Sequence, residues 1–187
     1  SIKDDEIECL PSVSTIADGI AVKQPGDNTF ALVRDYVDEI ALVTDDEISS
    51  AILALIEKQK MIAEGAGATA VAAVMAGKFD LRGKRVVAVV SGGNIDVTSL
   101  SRVIDRGLRN SGRSSNMLIE LLDKPGQLKE ISSIIADCGG NVTGVHYEKG
   151  ATESVHGVFL RIDMETRDFD HVKLITDSLK AEHFKLV

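Results

Sequence analysis

Five apolar residues in a row, Val86-Val-Ala-Val-Val90, leave no polar face, so a strand running from Arg85 to Val90 must be covered on both sides. Such a strand belongs inside a parallel sheet flanked by helices, which sets the expectation of an α/β fold. It leads directly into Ser91-Gly92-Gly93-Asn94, and from Val97 to Leu108 the apolar residues take up helical spacing. In open α/β sheets ligands bind beyond the carboxyl ends of strands, so Ser91 stands where chemistry is usually placed.

The flanking sequence fits the same alternation. Phe30, Leu32, Val33 and Val37 predict a helix over 29–37, and Glu39-Ile-Ala-Leu-Val-Thr44 reads as a short buried strand. Thr44 followed by Glu47 is a capping box for a helix running to about Lys60, with Ile48, Ile52, Leu55 and Ile56 on its apolar face. After Glu64, Gly-Ala-Gly-Ala-Thr-Ala-Val-Ala-Ala-Val-Met-Ala-Gly77 predicts a helix of small residues suited to close packing, with Gly77 at its C-cap. Ala17-Asp-Gly-Ile-Ala-Val22 reads as a turn into a strand.

Asn110-Ser-Gly-Arg-Ser-Ser115 is polar and marks a linker over 111–116, dividing a domain over 1–110 from one over 117–187. In the second domain Met117 to Leu122 is a strand, Asp123-Lys-Pro-Gly126 a turn, and Leu128, Ile131, Ile134 and Ile135 mark a helix stopped by Gly139-Gly140-Asn141. Strands over 142–148 and 155–164 form a hairpin around a turn at 149–154. A helix carrying Val172, Ile175 and Leu179 follows, and a closing edge strand comes at 184–187. The order β-α-β-β-α-β is the ferredoxin-like split unit.

Twenty-one Lys and Arg against 29 Asp and Glu, a net charge of -8, argue against nucleic-acid and anionic-membrane partners. No segment approaches the roughly 18 uncharged apolar residues of a membrane span, and the acidic start Ser1-Ile-Lys-Asp-Asp-Glu6 lacks the basic and apolar regions expected of a signal peptide. Cys9 and Cys138, far apart and without a CxxC, point to a reducing cytoplasm. His146, His156, His171 and His183 lack ligand spacing, so no metal is expected, and GxSxG, HExxH and GxxxxGK[ST] do not occur.

Three features of the first domain bear on chemistry. Ser91-Gly-Gly-Asn94 reads on spacing as a tight turn with Asn94 or Asp96 capping the next helix; the functional alternative has glycine admitting a flat or anionic ligand while Ser91 offers a hydroxyl. Glu64 at a helix N-terminus is favoured by the helix dipole with or without a ligand, and Gly19 sits in what is otherwise an ordinary loop. In the second domain Asp123 and Asn141 are expected to end neighbouring elements at one edge, with Gly126 opening the helix between them. They read either as turn and cap residues or as a small amino-acid pocket, with helix-start amides for a carboxylate and Asp123 for an ammonium group.

Taken together, Thr15-Ile-Ala-Asp-Gly19, the stretch 27–43, Glu64-Gly-Ala-Gly and Val89-Val-Ser-Gly-Gly-Asn-Ile-Asp96 resemble the C-terminal part of the catalytic domain of threonine dehydratases. These are pyridoxal-phosphate enzymes of the fold-type II group, which also holds serine dehydratase and serine racemase. Residues 117–187, with Asp-Lys-Pro-Gly126 and Gly-Gly-Asn141, resemble an ACT domain. The resemblance implies that Ser91 hydrogen-bonds the pyridine nitrogen of pyridoxal 5'-phosphate. It also implies that Gly19 lines the pocket, that Glu64 lies near the same ring edge, and that Gly92, Gly93 and Asn94 complete the turn. Asp123, Gly126 and Asn141 then match positions where ACT domains hold amino-acid effectors, such as isoleucine or valine, at the interface of a homo-oligomer.

The family's Schiff-base lysine and Gly-Gly-Gly-Gly-Leu phosphate loop have no counterpart here. Both are expected upstream of Ser1, in a missing N-terminal part of the catalytic domain, and without them this chain is expected to be inactive alone. The activity implied for the intact protein is deamination of threonine to 2-oxobutanoate and ammonia. The alternatives are dehydration or racemisation of serine, and a non-catalytic amino-acid-binding module.

Overall fold

The computed structural model describes residues 1–148 and 157–187. The expected turn at 149–154, the start of the following strand at Val155, and His156 lie outside the described residues. The chain divides into two compact units, Ser1–Gly107 and Leu108–Val187.

The first unit is built from helices. A 3-10 turn at Asp18–Ile20 precedes α1 (Asp27–Tyr36), α2 (Asp45–Ala54), α3 (Gly65–Met75) and α4, which spans Val97–Asn110. The capping box at α2 forms as the sequence predicts: Thr44 Oγ1 accepts the Glu47 N–H at 3.2 Å, and Glu47 Oε2 accepts the Thr44 N–H at 2.8 Å. Past Ala54 the helix widens into a π-turn, Leu55–Gln59, and ends at Lys60 in the left-handed conformation with φ 57°. Gly77, at φ 63°, follows the Ala76 C-cap of α3. The core joins Ala17, Ile48, Ala51, Ile52, Leu55, Ala63, Ala68, Ala72 and Val103. Its alanines let α2 and α3 lie close together.

Two expected strands do not form. Residues 39–44 and 85–90 are irregular, and Leu42, Val87 and Val89 stand 85%, 90% and 66% exposed. A strand with no polar face takes its hydrogen bonds from neighbouring strands and its burial from two flanking layers. The described residues of this unit offer neither. Nor does a strand follow the turn at 17–22.

The second unit is a four-stranded antiparallel sheet with two helices. The elements are β1 (Ser114–Leu122), α5 (Gln127–Asp137), β2 (Asn141–Glu148), β3 (Gly157–Glu165), α6 (Phe169–Ala181) and β4 (Lys185–Leu186), in sheet order β2-β3-β1-β4. This is the expected βαββαβ arrangement. In β1 and β3 alternate residues are buried, placing Met117, Ile119, Leu121, Val158, Leu160, Ile162 and Met164 against Ile131, Ile135, Ile175 and Leu179 of the helices. Between α4 and β1 the chain is short, with α4 reaching Asn110 and β1 starting at Ser114. Gly112, at φ 68°, and Arg113 are tied by their carbonyls to Thr166.

Candidate functional site

Glu64 precedes α3 in extended backbone conformation, and its carboxylate does not cap that helix. It reaches instead to the glycine turn, where Oε2 accepts the Asn94 backbone N–H at 3.1 Å. Its own N–H donates to the Gly92 carbonyl at 3.1 Å. A Cβ at Gly92 would lie 2.1 Å from Glu64 Oε1, and one at Gly93 would lie 3.0 Å from the Ile62 carbonyl oxygen. The space a side chain would take at these glycines is thus filled by the protein. Gly67, one turn into α3, is equally constrained: its Cβ would come within 2.4 Å of the Gly92 oxygen.

Gly19 belongs to the same constellation. Its N–H donates to Asp18 Oδ1 at 2.9 Å, and a Cβ there would stand 3.1 Å from the Ala66 Cβ and 3.8 Å from Glu64 Oε1. Of the six residues singled out in the first unit, Gly19, Gly92 and Asn94 meet around the Glu64 carboxylate, and Gly93 lies between the last two against the Ile62 carbonyl. Ser91 opens the turn and is exposed. Asp96, not Asn94, caps α4, its Oδ1 accepting the Thr98 and Ser99 N–H groups at 2.9 and 3.0 Å. The bonds from Ser99 and then Thr98 hold its carboxyl below the usual carboxylate range.

Sequence reasoning missed the support beneath Gly19. Asp45, the first residue of α2, accepts the Thr15 hydroxyl at 2.6 Å and the Ile16 N–H at 3.3 Å, and Thr15 Oγ1 in turn accepts the Ala17 N–H at 3.1 Å. A Cβ on Gly65 would lie 2.1 Å from the Ile16 carbonyl oxygen, so the loop at 15–17 rests on the start of α3. An Asp directly after a capping Thr reads as one more helix-start acid, and nothing in the local pattern announces its partner thirty residues away. Thr15, Asp18, Glu64, Asn94, Ser99 and Arg102 line a cleft of about 310 Å³ beside the turn.

In the second unit the expected grouping of Asp123, Gly126 and Asn141 is corrected. Register pairs Leu122 with Gly157 at one end of the sheet, and both Ser114 and Asn141 with Glu165 at the other. Asp123 and Gly126 therefore sit at one end and Asn141 at the opposite end, roughly 26 Å of strand away. The connection dictates this, because β1 and β2 are parallel and the α5 crossover must carry the chain back along the sheet. Asn141 is not a C-cap either. Cys138 ends α5, Gly139 follows at φ 87°, and Asn141 Nδ2 donates to Glu165 Oε2 at 2.8 Å. Gly126, at φ 98°, is the N-cap of α5 and borders a groove of about 530 Å³ with Lys129, Glu130, Ser133 and Glu182.

Among the described residues, no group of three or more His, Cys, Asp or Glu is placed to hold a metal ion. No described helix is long and apolar enough to cross a membrane. His171 is buried, with Nδ1 accepting the Arg167 N–H at 3.1 Å and Nε2 lying 2.9 Å from the Cys138 carbonyl.

Residues 1–92 match the family described as pyridoxal-phosphate dependent enzyme, and the whole chain aligns with an L-threonine ammonia-lyase of Thermotoga maritima at 44% identity, covering 46% of that protein. The chain is similar to this family over those 92 residues. An L-threonine ammonia-lyase of Geobacter sulfurreducens is 41% identical over 97% of the chain and 45% of its own length. The L-threonine dehydratase catabolic TdcB of Staphylococcus aureus is 48% identical over 56% of the chain and 31% of its own length. The chain spans about half the length of the first two relatives.

Pyridoxal phosphate is the cofactor that the matching family's description names, and Ser91 is the group at the turn with a free choice of hydrogen-bond role toward such a ring. The exposed Ser91 hydroxyl can donate to or accept from a ring nitrogen. The site residues described above bring no lysine to the turn, and Gly92 and Gly93 face Glu64 and Ile62 instead of forming an open cradle for phosphate.

Proposed function

We propose that this chain is the C-terminal portion of a threonine dehydratase that uses pyridoxal phosphate and carries a C-terminal ACT domain. The observation that carries the reading is the alignment of the entire chain, across both units, with an L-threonine ammonia-lyase. When bound, the cofactor supplies the electron sink that lets a bond to the amino-acid α-carbon break. Ser91 provides a neutral hydrogen bond at the ring nitrogen. Unlike a carboxylate, a hydroxyl does not hold that nitrogen protonated, which limits charge withdrawal into the ring and favours quick loss of the β-hydroxyl. Glu64, Gly92, Gly93 and Asn94 hold Ser91 in place, and Gly19 closes the pocket beside Glu64. In this reading the upstream half brings the lysine, the phosphate loop and the strands between which residues 39–44 and 85–90 become parts of a parallel sheet.

The second unit is the regulatory part of the proposal. β2 is an edge strand, and on its helix side Val145 and Tyr147 remain 39% and 51% exposed. An antiparallel β2–β2 pairing of two copies covers them. It also brings Asn141 of one copy toward Asp123 and Gly126 of the other, reuniting across an interface the three residues that one copy holds apart. An amino-acid effector bound there shifts activity only if it binds two states of the oligomer unequally.

The test is turnover by the full-length protein. Threonine should yield 2-oxobutanoate and ammonia, Ser91→Ala should lower kcat by about tenfold or more, and Asp123→Ala should weaken effector binding while sparing cofactor binding. Turnover of serine in preference to threonine would move the protein to the serine enzymes of the group. Amino-acid binding without cofactor binding would make it a regulatory module.

A further inference from the structure

We propose that Glu64 is a positioning residue, setting the orientation of Ser91 through the backbone of the glycine turn rather than meeting the bound ring itself; this rests on the reading above that Ser91 faces the cofactor. Two hydrogen bonds from the one residue bracket the turn, its N–H to the Gly92 carbonyl and its Oε2 from the Asn94 N–H, both at 3.1 Å. These fix the residues on either side of Gly93, directly after Ser91. The missing side chain at Gly92 is what allows the grip, because Oε1 occupies the position a Cβ would need. Ile62 and Gly67 close on the same turn from the two sides of Glu64 along the chain, through the contacts described at Gly93 and at the Gly92 oxygen.

Charge serves this role. Asn94 is exposed, so its N–H can bond to water, and an ionised acceptor makes a bond roughly twice as strong as a neutral one. A carboxylate therefore holds the turn where an amide would hold it less firmly but in the same place. A carboxylate acting directly on a ring or on a substrate ammonium group would instead be disabled by neutralisation.

The experiment compares Glu64→Gln with Glu64→Ala in the full-length protein. Two readouts are needed: hydrogen exchange of the Asn94 amide without cofactor, and the affinity and absorption spectrum of pyridoxal 5'-phosphate on titration. The Asn94 amide of the unaltered protein should be protected despite its exposure. Glu64→Gln, which keeps an acceptor oxygen, should retain most of that protection and bind cofactor within about threefold of the unaltered protein. Glu64→Ala should lose the protection and bind about tenfold more weakly, the loss of about 1.4 kcal/mol, with an altered spectrum.

An unprotected Asn94 amide in the unaltered protein overturns the proposal without any variant. So does a glutamine variant that keeps the amide protected yet binds cofactor as poorly as the alanine variant. If the exchange results hold but Ser91→Ala leaves the cofactor spectrum unchanged, the placement of Ser91 fails and the clamp stands.

Discussion

Gly67 and Gly92 face each other across the turn, yet their tolerance of a methyl group should differ. At Gly67 the new Cβ meets the backbone of residue 92, with oxygen at 2.4 Å and nitrogen at 2.8 Å, and backbone pinned by hydrogen bonds cannot step aside. Gly67→Ala should cost about 2–3 kcal/mol, even though alanine is the better helix former by about 1 kcal/mol. At Gly92 the obstacle is the end of the Glu64 side chain, which can swing away at the loss of one hydrogen bond, so Gly92→Ala should cost about 1 kcal/mol. Urea denaturation of both variants checks the ranking, and equal costs would show that the turn moves as freely as the side chain does. The sequence displays the glycines but not their reason. A ligand's approach and a neighbour's carboxylate leave the same one-letter trace.

At the next scale up, α2 is the element whose sequence signals all agree. Thr44 and Glu47 form their reciprocal cap, and Thr44→Ala should lower stability by about 1 kcal/mol in thermal or urea melts. Glu47 also bonds Lys78 Nζ at 2.7 Å; that contact first, and the Thr44 N–H second, hold its carboxyl below the ordinary range. A carboxyl with a lowered folded value contributes fully at pH above its unfolded value, and that contribution is lost as pH falls through the folded one. Stability measured from neutral pH downward should therefore fall less steeply in Glu47→Gln than in the unaltered protein across the acidic carboxylate range. Elements whose partners lie among the described residues were legible in this way, including α1, α3, α4 and all four strands of the second unit. Segments 39–44 and 85–90 were legible as strands only in the sense that they want burial on both faces. Their periodicity says what environment they need and nothing about whether the described residues supply it.

For the whole molecule, the two units are unequally finished. The second closes its sheet over a core in which Ile119, Leu160, Ile162, Ile131, Ile135, Ile175 and Leu179 are fully buried. The first leaves Leu42, Val87 and Val89 in water. The purified chain should accordingly bind a hydrophobic dye, and adding a separately produced upstream half of the proposed enzyme should suppress the signal; dye binding unchanged by that half would remove the argument for a strand-pairing partner. The opposite placement of Asp123 and Asn141 belongs to this scale too. It was implicit in the β-α-β order, since a crossover reverses ends, but a reading made turn by turn does not see it. The second unit also contains its own probe. His171 is sealed between the start of α6 and the end of α5, and with Nδ1 occupied as acceptor its ring carries the proton on Nε2, facing the Cys138 carbonyl. That proton should give one slowly exchanging imidazole resonance, so a single line in a spectrum would report whether the two helices are docked while an effector, a partner or a denaturant is titrated.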